Sequence, residues 1–174
     1  MEKIKLYLDT NIIYTYFMQK AKELKNNRKI PLPRVFTFLE ENKEKIEFYI
    51  SGLTELEIFR KLRTDFGLKE DEIIYLWGGF CNTLFPKQIK GEEINLAYLW
   101  DFIKDIVIRI PIKKRVTNLE HLGIAIQKNL IFVTGDKEVL KKCKAFYSKI
   151  MSYIELRKSL NYEEKYNYEE NKDI

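Results

Sequence analysis

One stretch near the start of the chain decides the fold: Ile4-Lys5-Leu6-Tyr7-Leu8-Asp9-Thr10-Asn11-Ile12-Ile13. An apolar run of strand length ends in three polar residues, and apolar residues then recur at helical spacing as far as Phe17. This order predicts a buried strand, a polar turn and an amphipathic helix. A buried strand that leads directly into a helix is typical of α/β proteins with a parallel sheet.

The same alternation continues along the rest of the chain. Predicted strands cover residues 46–50, 106–110 and 130–133, and helical periodicity fills the stretches between them. We therefore expect a single three-layer α/β/α domain over residues 1–160, with helices on both faces of a parallel sheet. Residues 161–174 are polar and are expected to form a flexible tail.

Local patterns also predict how some helices pack and begin. Trp77, Phe80 and Phe85 fall at core spacing after the second predicted strand, so we expect these aromatic side chains to pack in the core. Ser152 and Glu155, three residues apart, have the form of a capping box that opens a terminal helix.

Charge and cysteine content narrow the classes of function. The formal net charge is +5, and because residues 161–174 carry −3, residues 1–160 carry +8. A moderately basic body suits a polyanionic partner, although an ordinary solvated surface gives the same total. Two cysteines and one histidine are too few for a disulfide framework or a thiolate or histidine-rich zinc site. Any bound metal is therefore expected to have oxygen ligands.

Several recognisable segments are missing from the sequence. It has no apolar run of bilayer length and no export signal, so we expect a soluble, cytoplasmic protein without membrane association. The seven glycines form neither G-x-x-x-x-G-K nor G-x-G-x-x-G, which argues against a nucleotide cofactor.

Three acidic residues are expected at the carboxyl edge of the predicted sheet. Asp9 ends the first strand, Glu57 lies six residues after Ser51, and Asp136 follows the last predicted strand. Open parallel sheets bind ligands at this edge, and converging carboxylates repel each other unless a cation lies between them. The pattern therefore predicts a site for a hard divalent metal ion. Taken singly, Asp9 and Asp136 could be only helix N-caps, and Glu57 a solvated helix residue.

The motifs resemble those of PIN domains, the metal-dependent ribonucleases named from the PilT N-terminus. The opening stretch through Asp9-Thr10-Asn11 resembles their first motif, and Ser51-Gly52-Leu53-Thr54-Glu55-Leu56-Glu57 resembles their second. His121-Leu122-Gly123-Ile124-Ala125 and Phe132-Val133-Thr134-Gly135-Asp136 resemble their last motifs, so the likeness covers about residues 4–140. The resemblance implies a sheet of order 3-2-1-4-5 and an acidic pocket that holds Mg²⁺ or Mn²⁺. It also implies that the protein hydrolyses RNA.

The resemblance also assigns roles to individual residues. Asp9 is expected to be the principal metal ligand, with Glu57 and Asp136 completing the charge. Asn11 is expected to orient the Asp9 carboxylate, and Thr134 to hold the loop of Asp136. The supporting residues around the metal ligands are thus Thr10, Asn11 and Thr134.

One position departs from the family pattern. PIN domains usually have an aspartate three residues before the position of His121, where this chain has Asn118. An amide oxygen can coordinate a hard cation, but it brings no charge and cannot act as a base. Three alternatives follow: the site works with Asn118, Glu120 substitutes for it, or metal affinity is weak. His121 itself, among apolar neighbours, is interpreted as a structural histidine.

Basic residues near the expected rim of the pocket are candidates for contacts with RNA phosphates. A run of charges is more often a solvated face, so they are no more than candidates. These residues are Arg60, Lys61, Arg63, Lys113, Lys114, Arg115, Lys137, Lys141 and Lys142.

Three functions remain open. The first is a PIN-like ribonuclease that acts as the toxin of a toxin–antitoxin pair, with an antitoxin and a second copy of the chain as protein partners. The second is a phosphatase of the haloacid dehalogenase type, which needs an aspartate where this chain has Asn11. The third is a degenerate PIN-like module that binds RNA or a partner protein without catalysis, because Asn118 has weakened the metal site.

Overall fold

The computed structural model describes residues 3–113 and 116–160. The strand β1 (Ile4–Leu8) and the helix α1 (Thr10–Asn26) form where the opening stretch predicts them. Asp9 lies between them, and its Oδ1 accepts a hydrogen bond from the backbone N–H of Asn11 at 3.2 Å. The side chain that ends the strand therefore also caps the helix.

The remaining elements continue the alternation of helices and strands. In chain order they are α2 (Arg34–Glu41), β2 (Ile46–Ser51), α3 (Gly52–Phe66), α4 (Glu70–Leu84), β3 (Lys87–Ile89), a 3₁₀ turn (Gly91–Glu93), α5 (Leu96–Arg109), α6 (Thr117–Gln127), β4 (Ile131–Val133), α7 (Lys137–Lys142), β5 (Ile150–Met151) and α8 (Tyr153–Ser159). The predicted tail at 161–174, together with Lys114 and Arg115, lies outside the described residues.

Within the described residues five strands, all parallel, form one sheet of order β3-β2-β1-β4-β5, which confirms the expected order. The central strand β1 pairs Leu6 with Phe48 of β2 and Leu8 with Val133 of β4. The N–H of Asp9 donates to the carbonyl of Val133 at 2.9 Å. This register brings the carboxyl ends of β1 and β4 level with each other.

Helices cover both faces of the sheet, which confirms the three-layer α/β/α architecture. Alternate residues of a strand point to opposite faces. Leu6 and Leu8 pack in one core with α1 to α4 and α8, whereas Tyr7 packs in the other with α5 to α7. None of the described helices combines the length and the apolar composition needed to cross a bilayer.

The strand predicted at residues 106–110 is wrong, because residues 106–109 form the end of α5. Leu99, Ile103 and Ile106 are buried at helical spacing, while Ile108 is 77% exposed, as one face of an amphipathic helix requires. A short β-branched run has strand propensity, but burial along one helical face overrides it. The sheet gains its fourth and fifth members from β3 and β5 instead, which are three and two residues long.

The aromatic prediction is correct for two residues of three. Phe80 is fully buried and Trp77 packs partly buried against the same core, stacked 5.6 Å from Phe17. Phe85 is 75% exposed, contrary to expectation. It lies just past the last turn of α4 in the left-handed conformation, with φ of 48°, so the helical spacing no longer sets its direction.

Candidate metal site

A pocket of about 380 Å³ opens at the carboxyl edge of the sheet. Asp9 enters it from the end of β1, Glu57 from α3, Asn118 from α6 and Asp136 from the start of α7. The three carboxylates and the amide that the sequence singles out are therefore gathered at one place. Asn118 lines this pocket and Glu120 does not. Of these two residues, Asn118 is therefore the one that lies beside the carboxylates.

Asp9 is fully buried and both of its carboxylate oxygens are held. Oδ1 accepts from the backbone N–H of Asn11, and Oδ2 accepts from the Thr134 hydroxyl at 2.6 Å. Asn11 thus acts through its backbone, because its side-chain oxygen instead accepts from Nζ of Lys61 at 3.3 Å. Thr134 also accepts from the N–H of Asp136 at 3.0 Å, so this hydroxyl links two of the pocket's acidic residues.

Asp136 combines a capping role with a place in the pocket. Its Oδ1 accepts from the backbone N–H groups of Glu138 at 2.8 Å and Val139 at 3.4 Å, which caps α7. Its Oδ2 accepts from Nδ2 of Asn118 at 2.6 Å. Asp136 is therefore an N-cap, as its simpler interpretation expects, and it also lines the pocket. Because Asn118 donates through its nitrogen, its amide oxygen is the atom that can coordinate a cation.

Glu57 is held by the histidine that the sequence suggests is only structural. Nε2 of His121 lies 2.9 Å from Oε2 of Glu57, and a carboxylate only accepts, so the imidazole donates this hydrogen bond. The hydroxyl of Thr10 lies 2.9 Å from the same nitrogen. His121 is fully buried, and the hydroxyl of Tyr7 lies 2.8 Å from Nδ1. Both ring nitrogens are thus paired, which fixes the orientation of the ring beneath Glu57.

Tyr7 extends this network across the sheet. Its hydroxyl lies 2.6 Å from Oγ of Ser51 and 3.4 Å from Oγ1 of Thr54, and all three side chains are buried. Burial raises the pKa of Tyr7 well above its ordinary value, so the phenol keeps its proton. A tyrosine in the central strand is the signal from which this network can be suspected, because a buried hydroxyl needs partners.

The electrostatic balance keeps Glu57 anionic. Burial by itself raises the pKa of this carboxyl group, but hydrogen bonds from His121 and Thr10 and the charge of Lys61 lower it. The net result is a pKa below the ordinary value. Glu57 therefore presents a negative charge at neutral pH, as a ligand for a hard cation must.

Cationic side chains surround the acidic centre. Arg60, Lys61 and Lys113 line the pocket beside the carboxylates. Two further candidates have structural partners instead: Arg63 donates to the carbonyl of Leu68 at 2.8 Å, and Lys142 pairs with Glu138 at 2.7 Å. The remaining described candidates, which do not line the pocket, are Lys137 and Lys141.

The donor set is compatible with Mg²⁺ or Mn²⁺ bound largely through water. Within residues 3–113 and 116–160, no three Asp, Glu, His or Cys side chains are close enough to form a ready-made metal cluster. Mg²⁺ does not need one, because it usually keeps several waters and binds through one or two carboxylates. Asp9 and Asp136, joined through Thr134, form such a pair in a site whose donors are all oxygens.

Comparisons with known proteins provide no family for this chain. No protein-family profile matches it, and no curated protein matches it either. Any conclusion about function therefore depends on the geometry of the pocket and the chemistry of its side chains.

Proposed function

We propose that this protein is a metal-dependent endoribonuclease of the PIN-domain type, which hydrolyses RNA phosphodiester bonds with Mg²⁺ or Mn²⁺. The observation that carries the proposal is the convergence of Asp9, Glu57, Asn118 and Asp136 on one pocket. These residues are scattered along the sequence, and each comes from a different element. Carboxylates that line one pocket favour a hard cation as a partner, and Mg²⁺ can bind through one or two of them.

Asp9 and Asp136 are the residues that would hold the ion directly, with Glu57 and the amide oxygen of Asn118 beside them. When bound, such an ion supplies an activated water and neutralises charge on the attacked phosphate and the departing oxygen. The chain contributes rigidity: the Thr134 hydroxyl holds Asp9, and the backbone N–H of Glu138 in the first turn of α7 holds Asp136. Carboxylates fixed in this way lose little freedom when they bind a metal.

Arg60, Lys61 and Lys113 would receive the phosphates of the RNA on either side of the cleaved bond. Their cationic groups line the same pocket as the carboxylates, so they offset the repulsion between an acidic pocket and a polyanion. Contacts of this kind position the strand without reading its sequence.

We further propose that the protein is the toxin of a toxin–antitoxin pair, as its resemblance to PIN-type toxins suggests. The helix α4 exposes Ile74 and Tyr75, which are 57% and 72% accessible. Large apolar side chains on one exposed helix are suited to contact with an antitoxin or a second copy of the chain.

A cleavage assay on a mixture of structured and unstructured RNAs tests the enzymatic proposal. The reactions contain Mg²⁺, Mn²⁺ or a chelator and compare the wild type with Asp9→Asn. Asp101→Asn is the matched control, because Asp101 is an exposed residue of α5 outside the pocket. We expect metal-dependent cleavage by the wild type and the control, and a loss of at least about 100-fold in Asp9→Asn. Undiminished cleavage by Asp9→Asn, or equal cleavage in chelator, would refute the proposal.

The second candidate is an RNA-binding module without catalysis. It is favoured by the 2.6 Å hydrogen bond from Asn118 to Asp136, because a neutral amide stands where a fourth carboxylate is expected. Titration calorimetry with Mn²⁺ separates the two candidates. If the wild type releases heat on binding Mn²⁺ and Asp9→Asn does not, the result supports the metal-dependent enzyme. If the wild type binds RNA but shows no heat with Mn²⁺, the result supports the non-catalytic module.

A further inference from the structure

Lys61 lines the candidate metal pocket, and its ammonium group is held by two neutral side chains. Nζ lies 4.3 Å from the centroid of the Tyr14 ring and donates a hydrogen bond to Oδ1 of Asn11 at 3.3 Å. An aromatic face attracts a cation at this distance, and an amide oxygen accepts a hydrogen bond without bringing charge. Two residues of α1 therefore hold the end of a long, flexible side chain of α3.

These contacts leave the positive charge of Lys61 uncompensated. Among residues 3–113 and 116–160, no carboxylate oxygen lies within salt-bridge distance of its ammonium group. Lys104 of α5 and Lys142 of α7, in contrast, form ion pairs with Asp101 and Glu138. A lysine held only by neutral groups keeps its full attraction for an anion, whereas an ion-paired lysine already has a negative partner.

The Tyr14 ring is itself fixed in place. Its hydroxyl donates to Oδ2 of Asp65 at 2.6 Å, and its ring lies 6.5 Å from that of Phe66. Burial and the hydrogen bond to Asp65 raise the pKa of Tyr14 to about 12, so the phenol keeps its proton. Asp65 thus engages the hydroxyl of Tyr14, and the face of the neutral ring is left for Lys61.

The side chain of Asn11 has a role that the sequence pattern does not assign. Its backbone N–H donates to Asp9, and its side-chain oxygen faces Lys61 instead. Asn11 and Lys61 line the same pocket as Asp9 and Glu57. An anion bound by this ammonium group would therefore lie beside a metal ion held by the carboxylates.

We propose that Tyr14 and Asn11 are positioning residues that fix Lys61 as a phosphate-binding cation of the pocket. This inference rests on the proposed function and deepens it, because it identifies which side chain of the rim is oriented in advance for a phosphate of RNA. A side chain that is already held in its binding position loses less conformational freedom when the ligand arrives.

The test measures binding of an unstructured RNA oligonucleotide by fluorescence anisotropy, in chelator and again in Ca²⁺, at a series of salt concentrations. For a single strand, the logarithm of the association constant falls with the logarithm of salt concentration by about 0.7 per neutralised phosphate. Lys61→Gln should therefore make this slope shallower by about 0.7 and weaken binding several-fold.

Tyr14→Leu removes the ring and should weaken RNA binding by about two- to fivefold, the effect of an exposed cation–π contact. Tyr14→Phe keeps the ring face and should bind within about twofold of the wild type. Because Tyr14 acts through Lys61, Tyr14→Leu should have no further effect in the Lys61→Gln background. A merely structural role of Tyr14 would weaken binding equally in both backgrounds.

Asn11→Ala removes the second contact and should behave in the same way in its own cycle with Lys61→Gln. This second cycle decides the question if Tyr14→Leu does not fold, which circular dichroism checks. The matched controls are Lys104→Gln and Tyr98→Leu of α5, which packs on the opposite face of the sheet from α1 and α3. Both controls should bind RNA like the wild type.

Four results would overturn the inference: a Lys61→Gln variant with the affinity and salt slope of the wild type, positioning variants whose losses add to that of Lys61→Gln, a loss in Tyr14→Phe as large as in Tyr14→Leu, or no RNA binding by the wild type. The proposed function fails in a different way. If Tyr14 and Lys61 are coupled in RNA binding but neither Mg²⁺ nor Mn²⁺ supports cleavage, the inference stands and the nuclease is refuted. If cleavage requires metal and Asp9 but RNA binding is unchanged in every variant of Lys61, Tyr14 and Asn11, the nuclease stands and the inference is refuted.

Discussion

Nε2 of His121 lies 2.9 Å from Oε2 of Glu57, so a fully buried imidazole holds a carboxylate of the candidate metal site. Asp9 and Asp136 are fixed as helix caps, but Glu57 lies inside α3, where no cap restrains its side chain. His121 supplies the missing restraint from α6, and Tyr7 of β1 fixes the ring in turn. The site therefore depends on contacts between its three layers as well as on local turns.

Replacing His121 tests whether it positions Glu57 through its hydrogen bond or only fills space in the core. In His121→Leu, Glu57 and the Tyr7 hydroxyl both lose a partner, so we expect the free energy of unfolding to fall by about 1–3 kcal/mol. Mn²⁺ affinity should fall by roughly 10–100-fold, measured by calorimetry. His121→Gln keeps an N–H donor and should retain affinity within a few-fold of the wild type. Equal loss of affinity in the two variants would show that the donor is not what matters.

Asn118→Asp should lower the stability of the protein in the absence of metal and raise its affinity for metal. The hydrogen bond from Nδ2 to Asp136 is replaced by repulsion between two carboxylates, so the melting temperature in chelator should fall. With one more anionic ligand, Mn²⁺ affinity should rise by about tenfold or more, and so should the stabilisation by Mn²⁺. Melting curves with and without Mn²⁺ measure both effects. Asn82→Asp, on α4, is the charge-matched control and should show neither.

Gly123→Ala should destabilise the fold without touching the pocket. A Cβ atom at this position of α6 would overlap Cδ1 of Leu99 and approach Cδ1 of Phe102 to 3.2 Å, where α5 packs. We expect a loss of about 1–3 kcal/mol in the free energy of unfolding, measured by urea denaturation. Gly78→Ala is the control: nothing lies within 4 Å of its added Cβ, and alanine favours a helix by about 1 kcal/mol. A neutral Gly123→Ala would mean that the side chains of Leu99 and Phe102 adjust easily.

Acid should remove the contribution of the capping box at α8. The predicted box is present: the N–H of Ser152 donates to Glu155 at 2.7 Å, and the N–H of Glu155 donates to Oγ of Ser152 at 3.2 Å. Hydrogen bonds from Lys144 and from the backbone of Ser152 lower the pKa of Glu155 to about 2. A lowered pKa stabilises the fold above the ordinary value of 4.5, and this stabilisation is lost as the pH falls towards 2.

Glu155→Ala should therefore be less stable than the wild type at pH 7 and converge with it at low pH. The Glu155 side chain is 45% exposed, so solvent screening limits the difference to about 1 kcal/mol or less. Urea denaturation at intervals from pH 7 to pH 2 measures the gap. A gap that stays constant across this range would show that the charge of Glu155 does not contribute to the difference.

The sequence predicts the parts of the structure that local patterns determine. The apolar run that ends at Asp9 predicts a strand, a helix cap and a helix within a few residues. Parallel pairing then places the carboxyl ends of β1 and β4 side by side. The pocket follows from that geometry, because the carboxyl ends of parallel strands share one edge. Glu57 also reaches it, since α3 begins directly after β2.

What the sequence does not predict depends on contacts between distant residues. The helical phase of α6 relative to α3 decides whether His121 meets Glu57, and no local pattern specifies that phase. The run Ile106, Val107 and Ile108 has the composition of a strand, and only packing on α6 makes it part of α5. Strands as short as β3 and β5 have no pattern long enough to recognise.

The two outermost strands have a consequence for how copies of this chain can meet. β3 and β5 span three and two residues, so each outer margin of the sheet offers very few backbone groups to a neighbouring molecule. Joining two such margins would form too short a ladder to hold the molecules together. Self-association should therefore proceed through side chains on helix surfaces, and fibril growth by sheet extension should be disfavoured even in concentrated preparations.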